Sequence, residues 1–188
     1  MTARDGRHRR GEDSRARIIA AMLELVHGGE LSPSAEQVAA RAEVGLRTVF
    51  RHFTDMDSLY REMSGAIEAE MKVIVDRPFT AQDWRGRVVE LVGRRAAVFE
   101  KIAPFKRASA VSRHRSKFLE ADEARLVATL REILVAQLPK AAAGGAGNLE
   151  ILDLLLSFES WSRLRREQSL SPRDAQSALE AAVRTLIV

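Results

Sequence analysis

Apolar residues recur every three or four positions along almost the whole chain of 188 residues. This spacing places them on one face of an α-helix, whereas the period-two alternation of a half-buried strand is rare. Strong breakers are also few, with 11 glycines and 5 prolines. The pattern therefore predicts an all-α fold in which each helix has an apolar face to bury.

Composition excludes several kinds of site and location. The chain contains no cysteine, so disulfides, thiolate metal sites and cysteine nucleophiles are ruled out. No run of eighteen uncharged apolar residues is present, so no membrane span is expected. The first residues, MTARDGRHRRGED, lack the apolar core of a secretory signal. These features predict a cytoplasmic protein with no cofactor and no membrane association.

Net charge says little about the partner. The formal net charge is +4 and the pI is about 9.9, values that are compatible with nucleic-acid binding. The first sixty residues, however, contain nine basic and nine acidic side chains. Any DNA affinity must therefore come from local arrangement, chiefly the arginine-rich segment 1–13 and one helix face.

Capping residues and breakers delimit the helices predicted in the first 78 residues. Ser34 and Gln37 have the spacing of a capping box, in which each side chain bonds the other residue's backbone. A glycine pair at 28–29 ends the first helix. The four predicted helices begin at Asp13 or Ser14, at Ser34, at Leu46 and at Thr54 or Asp55, and Pro78 closes the last.

Four further helices are predicted beyond Pro78. They cover 84–103, about 120–138, 149–167 and a last helix that Ser171 caps with Pro172 at its first position. Pro104 is predicted to break the first of these helices. The segment PKAAAGGAGN at 139–148 has no apolar period and is predicted to be a flexible loop.

Residues 34–53 have the pattern of a helix-turn-helix. This motif needs a small residue where two helices cross, a tight turn, and apolar residues that hold the second helix so that its outer face fits a major groove. Ala39 is the small residue, and Gly45 begins the second helix. The buried positions are Val38, Ala42, Val44 and Val49. The outer face carries Arg47, Thr48 and Arg51, with Phe50 and His52 nearby.

The segment EQVAARAEVGLRTVFRHFTDMDSLYREM resembles the TetR family of transcriptional regulators, in which V-x-x-x-T-[LV]-[YF]-x-H-F ends the motif. The resemblance is specific over 14–63, and residues 157–186 are similar to the closing helices of such regulators. The matching residues are Val44, Thr48, Val49, Phe50, His52 and Phe53. The resemblance implies that the groove is faced by Gly45, Leu46, Arg47 and Arg51. It implies phosphate contacts by Thr48, Phe50, His52 and Ser34.

Three positions depart from the family pattern. Glu43 stands at a turn position where glycine is common, and a positive φ there costs a non-glycine residue about 1 kcal/mol. Phe50 replaces a tyrosine, and Met56 replaces a phosphate-contacting lysine. The last two changes predict weaker anchoring to phosphates. The segment at 1–13, with Arg7, Arg9 and Arg10, is either a compensating minor-groove arm or a solubilising tail.

The family resemblance also implies the domain order and the mechanism. An arm at 1–13 and a three-helix helix-turn-helix domain at 14–60 precede a helical effector-binding and dimerisation domain at 61–188. A homodimer formed by the last two helices is expected to repress by binding a near-palindromic double-stranded operator until a small-molecule effector releases it. Interface candidates are Leu152, Leu155, Leu156, Leu179, Val183 and Leu186. Pocket candidates are Phe99, Phe105, His114, Phe118, Phe158 and Trp161. The alternative is that the aromatic residues form plain core and that His114 lies on a solvated helix face.

Two other functions compete with DNA binding. The helix-turn-helix face of a helical interaction module would bind a protein, and a helical ligand-binding enzyme would catalyse a reaction. The four histidines lie far apart in sequence, and no glycine-rich phosphate loop or recognisable nucleophile is present. The sequence therefore predicts a protein that is not an enzyme.

Overall fold

The computed structural model describes residues 3–139 and 148–187, with side chains described from residue 11 onward. Every regular element in those ranges is helical, which confirms the all-α prediction. The helices are α1 Ala3–His27, α2 Ala35–Arg41, α3 Leu46–His52, α4 Met56–Val75, α5 Trp84–Ser112, α6 Lys117–Val135, α7 Asn148–Leu155, α8 Phe158–Ser162 and α9 Pro172–Leu186. Most of the loop predicted at 139–148 lies outside the described residues.

The helices form two compact units. The first unit contains α1, α2, α3, the first part of α4 and the segment Pro104–Ala121. The second contains the remainder of α4, α5 and α6, together with α7, α8 and α9. Among the described residues, no helix is long and apolar enough to cross a membrane. The limits predicted for the domains, 1–13, 14–60 and 61–188, remain predictions.

The core of the first unit follows the predicted apolar periodicity. Ile18, Met22 and Val26 lie on one face of α1 and are at most 1% exposed. They belong to a buried cluster that fixes α2, α3 and α4 around α1. Burying such side chains stabilises a fold by about 1.5–3 kcal/mol each. Other members of the cluster are Val38, Val49, Phe53, Leu59, Met63, Phe105 and Leu119.

Side-chain caps begin the helices where the sequence predicted them. The capping box at α2 is present, because Ser34 N donates to Gln37 Oε1 at 2.8 Å and Gln37 N donates to Ser34 Oγ at 3.2 Å. At α4, Ser58 N donates to Asp55 Oδ1 at 2.7 Å. At α9, Ser171 Oγ accepts from Asp174 N, with Pro172 at the first position. These caps are confirmed.

The predicted cap of the first helix was wrong. Because α1 begins at Ala3, Asp13 and Ser14 lie inside the helix. Residues 3–12 contain no proline, and each glycine there costs a helix only about 0.5–1 kcal/mol, so the backbone can remain helical beyond a cap-like pair. The helix therefore extends through most of the segment that was predicted as an arm.

Two helix breaks were also mispredicted. Pro104 lies inside α5. Proline removes only one backbone hydrogen bond, and this loss is outweighed because the buried side chains of Ile102, Phe105 and Ala108 hold the helix on both sides of it. The helix predicted over 149–167 is interrupted after Leu155. Ser157 caps α8 by accepting from Ser160 N at 3.2 Å, and a π-helical turn, Arg163–Glu167, follows.

A buried arginine joins three helices of the second unit. Arg95 of α5 is only 4% exposed and donates to Leu156 O at 2.6 Å, just after α7, and to Leu130 O in α6. Burial lowers the pKa of Arg95 to about 10, while Asp153 opposes that shift. The guanidinium therefore remains charged at neutral pH, and it helps to terminate α7.

Glu90 holds the connection between α4 and α5. Its Oε2 accepts hydrogen bonds from Thr80 N at 2.9 Å and Ala81 N at 3.1 Å, and its Oε1 pairs with Arg94 at 2.6 Å. The Arg94 guanidinium also lies 3.7 Å from the centroid of the Phe79 ring. The hydrogen bond from Arg94, supported by those from the backbone, lowers the pKa of Glu90 from 4.5 to about 2.

Glu90→Gln is expected to lower the free energy of unfolding at pH 7, with a loss that shrinks in acid. Because the folded pKa of Glu90 is depressed, its stabilisation is fully present above pH 4.5 and is lost as the pH falls towards about 2. Urea unfolding of both proteins at pH 7 and pH 3 measures this difference. A stability difference that is independent of pH would contradict the assigned role of Glu90.

Candidate nucleic-acid interface

A tight turn joins α2 to α3. Glu43 N donates to Ala40 O at 3.2 Å and Val44 N donates to Ala39 O at 3.0 Å, the pairing of a Schellman motif. Glu43 has a φ of 53°, in the left-handed region that glycine adopts more readily. The turn therefore retains the glycine-type geometry with a glutamate in it.

Glu43→Gly is expected to be more stable than Glu43→Ala by about 1 kcal/mol, because only glycine avoids the steric cost of a positive φ. Both substitutions remove the same exposed charge, so their comparison isolates the backbone. Thermal and urea unfolding measure the difference. Equal stability of the two variants would show that the turn relaxes without cost.

The helix α3 is held from one side only. Val49 and Phe53 are each 2% exposed and belong to the buried cluster of the first unit. On the opposite side, Leu46, Arg47, Phe50 and Arg51 are all exposed. Because the anchoring residues are buried, the outer face is presented by a fixed helix, as direct contact with base edges in a groove requires.

Arg47 and Arg51 have no hydrogen-bond or ion-pair partner among the described residues. Two other arginines of the same unit are paired. Arg15 bonds Glu62 at 2.7 Å and lies 5.0 Å from the Phe53 ring centroid, and Arg41 bonds Glu24 at 2.5 Å. The two guanidinium groups of α3 are therefore available to a ligand, and each can donate two parallel hydrogen bonds to it.

The first turn of α3 is open to solvent. Gly45 caps the helix with φ −69° and ψ 146°, values that any residue can adopt. A Cβ placed on Gly45 would meet no atom within 4 Å. The fold itself therefore does not require glycine here, and its missing side chain leaves the backbone of the first turn accessible.

His52 lies at the inner edge of this surface. Its Nε2 is buried and has no hydrogen-bond partner among the described residues, and a Cβ on Gly11 would lie 3.9 Å from its Cε1. Burial, followed by the positive charges of Arg51 and Arg15, lowers the pKa of His52. The ring is therefore neutral at pH 7.

Ser34 and Thr48 are both half-buried. The Ser34 hydroxyl accepts from Gln37 N, and its hydrogen bond to Glu36 contributes to lowering the pKa of that carboxyl. The phosphate contacts implied for Ser34, Thr48, Phe50 and His52 remain predictions.

The six predicted pocket residues fall into different parts of the fold. In the first unit, Phe105 and Phe118 pack in or against the buried cluster, and His114 is exposed. In the second unit, Phe99 and Phe158 make an edge-to-face pair with centroids 5.6 Å apart. Trp161 is 1% exposed and donates through Nε1 to Glu100 at 2.9 Å. The role of all six in binding a ligand remains a prediction.

Most of the predicted interface residues are buried within this chain, and their role in a dimer remains a prediction. Helical periodicity identifies the face that a helix buries in its own chain, and a separate dimer face requires a second signal. Four of the side chains are at most 7% exposed, and two are half-buried. The four are Leu152, Leu156, Leu179 and Val183, and the two are Leu155 and Leu186.

The chain is similar to solved structures of TetR-family transcriptional regulators. One from Rhodococcus sp. superposes with a TM-score of 0.71 at 18% identity, covering 94% of this chain and 100% of that chain. Another from Syntrophomonas wolfei gives 0.65 at 17% identity, covering 93% and 95%. No protein-family model and no curated protein sequence matches the chain. The likeness confirms the predicted fold, a helix-turn-helix followed by a helical domain.

Proposed function

We propose that the chain is a DNA-binding transcriptional regulator of the TetR type that reads its operator with the outer face of α3. The observation that carries this proposal is the pair Arg47 and Arg51, exposed and unpartnered among the described residues, on a helix anchored by Val49 and Phe53. An arginine in a major groove donates two hydrogen bonds to O6 and N7 of one guanine. The shared fold supports the same use of α3.

Selection of bound sequences from a random pool of duplex DNA tests this proposal. The purified protein is expected to enrich an inverted repeat whose half-sites are about one helical turn apart, about 34 to 36 Å. Binding of the enriched duplex should weaken steeply with added salt, as counterion release requires. A selected pool with no enrichment over the starting pool would contradict DNA recognition.

The proposed regulator acts as a homodimer through a face of α7 and α9 that is exposed among the described residues. On α7, Ile151 and Leu154 are 44% and 64% exposed and lie three residues apart on one side. On α9, which packs against α7, the exposed residues include Ser177, Ala178 and Ala181. Small side chains permit close approach of a partner helix, and the exposed apolar pair supplies area to bury.

Leu154→Glu is expected to convert the dimer to a monomer, because it places a charge in the proposed interface without disturbing the core. Val127→Glu is a matched control, since Val127 of α6 is 49% exposed and lies outside the proposed face. Sedimentation velocity at several protein concentrations measures the outcome. A Leu154→Glu protein that sediments as the unchanged chain does would contradict this interface.

We further propose that operator binding represses transcription and that a small molecule bound in the second unit reverses it. The aromatic pair Phe99 and Phe158, near the buried Trp161, is the candidate lining. A ligand lowers the DNA affinity only to the extent that it binds the conformation unable to bind DNA more tightly than the conformation that binds DNA. Screening apolar small molecules for release of the labelled operator, with tryptophan emission as a second readout, tests this. If small molecules changed the tryptophan emission but none of them released the labelled operator, the proposed reversal by a ligand would be contradicted.

A further inference from the structure

Two apolar side chains stand exposed beside the arginines of α3. Leu46 is 37% exposed and Phe50 is 52% exposed, although α3 buries Val49 and Phe53 almost completely. Leu46 and Phe50 are four residues apart, so they lie next to each other on the helix surface. Covering contiguous apolar area with a partner is favourable, so this pair is a candidate contact surface.

Helical geometry arranges the outer face of α3 as two parallel stripes. Successive residues turn by about 100°, so Leu46 and Phe50 form an apolar stripe beside the cationic stripe of Arg47 and Arg51. Each pair spans about 6 Å along the helix axis, close to the rise of two base pairs. A duplex that receives both guanidinium groups in its major groove therefore has base edges within reach of the apolar stripe as well.

The apolar stripe cannot anchor to phosphate. Phe50 has no hydroxyl group to donate to a phosphate oxygen, and Leu46 has no polar atom in its side chain. The apolar group that a base pair presents in the major groove is the 5-methyl of thymine. We propose that Leu46 and Phe50 determine specificity by packing on thymine methyl groups next to the bases contacted by Arg47 and Arg51. For Phe50, this replaces the phosphate contact implied by the family resemblance.

Deoxyuridine substitution tests this proposal, which rests on the proposed DNA-binding function. Each thymine of the selected operator is replaced singly by deoxyuridine, which removes only the methyl group. At one or two thymines in each half-site, the affinity of the native protein is expected to fall by about fourfold, the effect of one buried methyl. In Phe50→Ala or Leu46→Ala, deoxyuridine at the corresponding thymine should have no effect.

The variants are compared with Val73→Ala, which removes an apolar side chain 66% exposed on α4 and should leave the deoxyuridine profile unchanged. Thermal unfolding establishes that all three variants are folded. Two results would overturn the proposal: a profile in which no deoxyuridine weakens native binding, or the same losses in native, Phe50→Ala and Leu46→Ala proteins. Either result leaves the proposed function standing, whereas failure to select any DNA sequence would remove it.

Discussion

Arg47→Ala and Arg51→Ala are each expected to weaken binding of the selected operator by about 5- to 150-fold, corresponding to the 1–3 kcal/mol of a bidentate contact to a base. Neither change should affect folding, since both side chains are exposed and have no partner among the described residues. Fluorescence anisotropy with native and scrambled duplexes separates sequence-specific from non-specific DNA binding. Loss of a base contact lowers specific binding much more than non-specific binding.

Arg166→Ala and Arg173→Ala provide matched controls, because they remove the same charge from exposed positions of the second unit. They should leave operator affinity within about twofold of the native value. If Arg47→Ala weakened native and scrambled duplexes equally and reduced the salt slope by about one, Arg47 would be a phosphate contact. If neither α3 variant changed affinity, the face assigned here would be wrong.

Trp161→Ala is expected to lower the free energy of unfolding by about 3–5 kcal/mol, the largest stability loss anticipated for a single residue. Trp161 is 1% exposed, so truncation leaves a cavity in the second unit. Its indole also donates to Glu100 Oε1, and the same oxygen accepts from Arg165 Nε at 2.8 Å. Hydrogen bonds from Arg165 and then Trp161 lower the pKa of Glu100, so the indole donates to a carboxylate.

Trp161→Phe separates the hydrogen bond from the packing. It retains most of the ring and is expected to cost about 1.5–3 kcal/mol, the range for a hydrogen bond to a charged group. Trp84→Ala is the control, since Trp84 is only half-buried and should cost less than Trp161→Ala. Far-ultraviolet circular dichroism in urea, at one protein concentration, measures all three. A loss below about 1 kcal/mol for Trp161→Ala would contradict the assigned packing.

Local patterns in the sequence predicted the helix-turn-helix closely. The start of α3 and the capping box of Ser34 and Gln37 depend on residues within a few positions of one another, so the chemistry that sets them is visible in the sequence. Glu43 was recognised as the turn position where glycine is common, and its positive φ lies at that one residue. The exposure of the face carrying Arg47 and Arg51 followed from the same spacing.

Features that depend on distant residues were not predictable. Pro104 does not end α5, because packing on both sides of it outweighs one lost hydrogen bond. The run LEILDLLL at 149–156 is too uniformly apolar for periodicity to separate Leu152 and Leu156, which face the core, from Ile151 and Leu154, which do not. The interruption after α7 depends on Ser157 and on Arg95, which is 61 residues from its acceptor, Leu156.

Methylation interference on the selected operator tests the central claim, that α3 reads bases in the major groove. Guanine N7 lies in the major groove, so methylation at the contacted guanines should block binding of the native protein. In Arg47→Ala or Arg51→Ala, methylation of the guanine that has lost its arginine should no longer weaken the remaining binding. If N7 methylation never interfered, and only methylation of adenine N3 in the minor groove did, the assignment of α3 to the major groove would be contradicted.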